Sequence, residues 1–216
     1  MRRVPGDTAQ YAAHRPLLRP TGVNQGKDRL LAFSDGVIAI IITIMVLELK
    51  APHGADWSDL AKLAPVFFSY VLSFTFVAIY WNNHHHLLYT VSRVNGTILW
   101  ANMHLLFWLS LIPFATAWAG ENHFAPVPTA VYGIAFLMPG CAYYLLKEAM
   151  VRLEGPDSTL ARALGRDLKG KISIVFYAAG VALAFVNQWL AIAVYLLVAL
   201  MWLVPDRRIE RTVAAK

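Results

Sequence analysis

Arg29-Leu-Leu-Ala-Phe-Ser-Asp-Gly-Val-Ile-Ala-Ile-Ile-Ile-Thr-Ile-Met-Val-Leu-Glu48 is the stretch whose reading decides the fold. An arginine and an aspartate stand six residues apart at its start, and a nearly all-apolar run follows. About twenty such residues cross a bilayer as a helix. Charged groups at the mouth of a spanning helix are costly without partners, so they mark function by default. At about 100° per residue, Arg29, Phe33, Gly36, Ile40, Ile44 and Leu47 fall on one stripe, with Thr43 at its edge. Asp35 falls on the opposite side, so Arg29 and Asp35 are not a same-face pair.

The rest of the chain has the same character. Of 216 residues, 58% are hydrophobic and 15% charged, and the mean hydropathy is +0.50. A water-soluble surface needs more charge than that. The single cysteine, Cys141, excludes an internal disulfide and a cysteine-based zinc site. Six apolar runs predict an all-α polytopic membrane protein with helices near 29–49, 62–83, 97–118, 127–150, 171–187 and 189–204. They form one six-helix transmembrane unit, 27–205. The flanks are a basic, flexible N-terminal arm (1–26) and a basic C-terminal tail (206–216). The arm has no apolar h-region and so is no cleaved signal peptide. It either touches anionic headgroups or serves topology alone. Pro113 and Pro139 are expected to kink their helices.

A net charge of +6 invites a nucleic-acid reading, which the distribution of basic residues removes. Seventeen Lys and Arg side chains fall in the N-terminal arm, the 84–96 and 147–171 connections and the C-terminus; only Lys50 and Lys62 fall on the other side. The positive-inside rule then places both termini in the cytoplasm of a cell-membrane protein. Trp57, Trp81, Trp100, Trp118, Trp189 and Trp202 lie near span ends, where amphipathic rings anchor.

Two clusters carry the chemistry. Copies of the helix 1 stripe facing one another would form an apolar tube with a basic rim, and hydrophobic constrictions gate ions by dewetting. The same stripe also suits ordinary helix packing. The Thr43 hydroxyl is expected to bond back to the Ala39 carbonyl. Helix 2 ends as Tyr80-Trp81-Asn82-Asn83-His84-His85-His86, at the depth of Asp35, with Asn102 and His104 at a similar height. Hydrogen bonding to the aspartate is one reading and a metal or proton relay the other. Three successive histidines point three ways and cannot ligate one ion, and no zinc-type spacing occurs, so no metal or cofactor is expected.

Arg29-x-x-x-Phe33-Ser34-Asp35, its apolar continuation, Trp81-x-x-His84 and the Asn102 to Ile112-Pro113-Phe114 stretch together resemble the transmembrane protein 175 family of potassium channels. The resemblance is strongest over residues 29–115. It implies a homotetramer with six transmembrane helices per subunit and helix 1 lining a central pore. Potassium ions, the lipid bilayer and further copies of the chain are then its partners. On that resemblance Ile40, Ile44 and Leu47 form the constriction, and Thr43 matches a threonine associated with selectivity. Arg29, Phe33, Ser34, Asp35, Trp81, His84 and His85 match the motif network that braces the pore helix. Ala39 stands where a serine can occur in relatives. A passive potassium-preferring channel is the expected function. The alternatives are a secondary transporter, for which broken helices, mid-span charges and inverted repeats are missing, and a metal-dependent membrane enzyme using the histidines, for which no nucleophile or paired carboxylate is present.

Overall fold

The structure is a computed structural model and describes residues 23–164 and 167–203. The terminal arm and tail lie almost wholly outside the described residues. All regular structure among those residues is helical: α1 (Val23–Leu47), α2 (Trp57–Ala61), α3 (Ala64–Thr90), α4 (Gly96–Ser110), α5 (Ile112–Glu121), α6 (Pro126–Glu154), α7 (Thr159–Leu164), α8 (Leu168–Leu183) and α9 (Gln188–Leu203).

Four stretches are long and apolar enough to cross a membrane: Gln25–Leu47, Ala64–Thr90, Gly96–Glu121 and Pro126–Glu154. The expected fifth and sixth spans correspond to α8 and α9, each of 16 residues. At 1.5 Å per residue each measures about 24 Å, short of a hydrocarbon core of about 30 Å.

The helix ends differ from the sequence reading in instructive ways. α3 runs to Thr90 rather than stopping near 83, so the three histidines sit inside its last turns. Trp81 and His84 there find partners on neighbouring helices, and polarity alone does not end a helix. Lys27 then caps this terminus: its Nζ donates to the carbonyls of Val91 at 2.8 Å and Tyr89 at 3.4 Å, where the helix dipole favours a cation. The third span is broken at Leu111, with Pro113 in the first turn of α5, the position where a missing N–H costs nothing. Pro139, by contrast, stays inside an uninterrupted α6, and the Tyr80 hydroxyl donates to the nearby Phe136 carbonyl at 3.4 Å.

α6 is the central helix, packed by α4, α5, α8 and α9, while α1 lies across α3, α4 and α5. Close approach depends on small residues. The Tyr195 ring threads between Gly133 of α6 and Gly180 of α8, where any Cβ would strike it. Between α3, α5 and α6, Ser73 Oγ meets Thr116 Oγ1 at 2.6 Å and the Tyr132 hydroxyl at 2.8 Å. Tyr132 also donates to the Ser69 carbonyl and Thr116 to that of Ile112. Three hydroxyl protons thus serve four contacts, so Ser73 donates to one neighbour at a time.

Candidate permeation face and its bracing network

Helix periodicity divides α1 into two faces. Leu30, Ser34, Ile38, Ile41 and Met45 recur at three- and four-residue spacing, and each is buried against the neighbouring helices. The opposite stripe is uncovered: Phe33 is 50% exposed, Ile40 58%, Ile44 41% and Leu47 75%. Arg29, Gly36, Ala39 and Thr43 are exposed with them. From Ile40 to Leu47 this apolar strip is about 10 Å tall. The Thr43 hydroxyl donates to the Ile40 carbonyl at 2.8 Å, not to Ala39 as the sequence suggested. Its rotamer takes the bond three residues back rather than four.

The buried face is held by a directed chain of hydrogen bonds. Ser34 Oγ donates to the Leu30 carbonyl at 2.8 Å, so it can only accept from Asn102 Nδ2 at 2.9 Å. That fixes the amide, and Asn102 Oδ1 must accept from His84 Nε2 at 2.7 Å. His84 is therefore the Nε2–H tautomer, with its Nδ1 buried and without a partner among the described residues. One asparagine on α4 thereby links α1 to α3.

Asp35 is tied separately. Trp81 Nε1 donates to its Oδ1 at 2.9 Å, a charge-assisted bond between α1 and α3. His85 supports the indole with ring centroids 5.5 Å apart, and Tyr89 lies 4.5 Å from His85 on the next turn. The structure thus gathers Ser34, Asp35, Trp81, His84 and His85 around the inner side of α1. Arg29 and Phe33 do not join them, being exposed on the outer stripe. Among the described residues no group of three or more His, Cys, Asp or Glu could hold a metal ion.

Two residues were under-read in the sequence. Asn102 was recognised by its depth and by the family-like stretch it opens, but not as the hub of the chain. Lys147, counted as a basic residue of a loop, is instead 3% exposed within α6 and ion-paired with Asp167, its ammonium over the Tyr144 ring. An aspartate ahead of an apolar helix signals a cap, which Asp167 also supplies to Gly170 N at 3.1 Å; nothing local announces its lysine.

An apolar helical bundle whose first helix, like α3, α4, α8 and α9, leaves large apolar side chains bare defines a polytopic membrane protein. The family model described as endosomal/lysosomal potassium channel TMEM175 matches residues 29–113. A potassium channel of Chryseobacterium sp. (strain P1-3) is 56% identical over 186 residues, spanning 86% of this chain and 97% of that relative. Another, of Streptomyces collinus (strain DSM 40733 / Tue 365), is 31% identical over 185 residues, 81% and 90% of the two chains. The crystal structure of a lysosomal potassium-selective channel TMEM175 homolog from Chamaesiphon minutus matches with a TM-score of 0.71 at 28% identity, over 82% of this chain and 96% of that one. The chain belongs to the TMEM175 potassium channel family, and is a channel-type protein rather than an enzyme.

Proposed function

We propose that the protein is a passive, potassium-preferring cation channel in the cell membrane. Four copies place the bare α1 stripe around a common axis. Ile40, Ile44 and Leu47 then form an apolar constriction and Arg29 a basic rim at its cytoplasmic end. The observation that carries this reading is the division of α1. One face is buried and pinned by Ser34 and Asp35, while the opposite face is uncovered and, from Phe33 to Leu47, apolar apart from Thr43.

Six crossings per subunit with both termini in the cytoplasm fit the asymmetry of basic residues. α8 and α9 then act as a short hairpin that thins the bilayer locally or leans within it. A narrow tube poor in ligands favours the ion that sheds water more readily, which is potassium rather than sodium. The Thr43 hydroxyl and helix carbonyls supply partial replacement of its hydration. The Asp35 carboxylate, turned toward Trp81, is a brace for the pore helix rather than an ion ligand.

Reconstitution into liposomes with bi-ionic potassium and sodium recording tests the assignment. Ile40→Asn should raise conductance by wetting the constriction, and Thr43→Ala should lower the preference for potassium. Unchanged conductance and selectivity in both variants would remove α1 from the ion path.

A further inference from the structure

Behind the bracing network, α3, α6, α8 and α9 line a partly open cavity of about 50 Å³. Its wall is mostly aromatic, with Phe76, Tyr80, Tyr143, Tyr177 and Trp202 facing it and Gly140 leaving it open on the α6 side. Tyr80 and Tyr143 each donate their hydroxyls to a backbone carbonyl, of Phe136 and Asn83. Tyr177 differs. It is 2% exposed, and its hydroxyl has no hydrogen-bond partner among the described residues. A buried phenol with an unmet hydroxyl calls for an explanation, because buried polar groups are as a rule paired.

We infer that this cavity is a binding site for a small, uncharged, hydroxylated amphiphile, a short alkanol or simple phenol whose oxygen pairs with the Tyr177 hydroxyl. The volume sets the size. At roughly 10–15 Å³ per water-sized centre it holds about three to five waters, or one molecule of about five to seven non-hydrogen atoms. The wall sets the chemistry. A water needs two to four polar partners, yet of the other polar side chains in the wall Ser173 and Asp167 are engaged, and the Asn83 amide and Tyr144 hydroxyl are only half-buried. Ser173 Oγ donates to the Lys169 carbonyl and accepts from Trp202 Nε1, and the Asp167 carboxylate takes Lys147 and Gly170 N. One fully buried, unpaired hydroxyl in a mostly apolar wall matches a molecule with one polar end and an apolar body. Tyr80 and Asn83 flank Trp81 and precede His84 on α3, so an occupant bears on the turn that braces α1 from its other side.

The experiment is photolabelling of the full chain in lipid bilayers with a diazirine-bearing butanol, the adducts mapped by mass spectrometry. Adducts are expected on Tyr177 and the neighbouring Ile174, displaced by excess 1-pentanol. Tyr177→Phe keeps the ring and removes only the hydroxyl, and should reduce labelling there roughly three- to tenfold, the worth of one hydrogen bond. Gly140→Ala serves as a second variant, because its Cβ would enter the space 3.4 Å from the Tyr80 hydroxyl and 3.9 Å from Ile174 Cγ1. It should reduce labelling with the thermal midpoint of the protein retained. Labelling unchanged in both variants, or confined to exposed side chains such as Val175 and Leu200, would overturn the site. None of these readouts depends on ion flux, so the channel assignment and this site stand or fall separately.

Discussion

Asn102→Leu tests the bracing chain most directly, because one side chain supplies both of its interhelical bonds. Leucine has similar volume, so the change removes hydrogen bonds with little cavity. Ser34 keeps its donor bond to the Leu30 carbonyl and loses only an acceptor contact. His84 fares worse: its Nε2–H, at 2.7 Å from Asn102 in the native protein and 1% exposed, is left buried without an acceptor. An orphaned buried donor costs about 1–3 kcal/mol. Each lost interhelical bond within a membrane bundle is worth about 0.6 kcal/mol on average. The orphan and the two lost bonds together give a destabilisation of about 2–4 kcal/mol for the single variant. Removing both partners, as His84→Leu with Asn102→Leu, eliminates the orphan. The double variant should therefore lose less than the sum of the two singles, with a coupling of about 1 kcal/mol. Reversible unfolding of the detergent-solubilised protein, followed by tryptophan fluorescence, measures all four corners of the cycle. Additive losses, or an Asn102→Leu variant within about 0.3 kcal/mol of the native protein, would refute the directed chain and with it the tautomer assigned to His84.

Other perturbations separate the remaining contacts. Lys147→Met leaves the Asp167 carboxylate, 23% exposed, without its cation. A loss of about 2–4 kcal/mol is expected in the same unfolding assay, and Lys147→Met with Asp167→Asn should recover most of it while keeping the α8 cap. Gly120→Ala would press a methyl to 2.8 Å from the Val66 Cα, backbone that cannot swing aside; a drop of about 1–3 kcal/mol and a lower melting midpoint are expected. Lys27→Met removes the cap on the α3 carbonyls. About 1 kcal/mol should be lost, with faster amide hydrogen exchange in the first turns of α1 and the last turn of α3.

The two faces of α1 were legible from residue order, since which side chains share a stripe follows from 3.6 residues per turn and nothing else. The depth match between Asp35 and the Trp81–His86 segment was legible for the same reason, as rise per residue is constant. The partner assignment was not. Depth alone allowed the aspartate to meet any of Trp81, a histidine or Asn102. The choice of the indole depends on how α1 and α3 rotate against each other. The end of α3 was misplaced because its polar residues look like a boundary until their partners on α1, α4 and α6 are known.

The sequence by itself determined that this is an apolar, multi-helix membrane protein, which residues of its first helix share a stripe, and that its family motif lies at the mouth of that helix. These properties depend on hydrogen bonds within a helix and on side chains a few residues apart. The tertiary structure decided that Trp81 holds Asp35, that Asn102 joins Ser34 to His84, that Lys147 is buried against Asp167, and that the third span breaks at Leu111. The three bonds of the bracing chain and its neighbour join residues 46, 68 and 18 apart in sequence. Which polar groups pair across such distances is set by how whole helices pack, because a bundle leaves each donor few acceptors within reach.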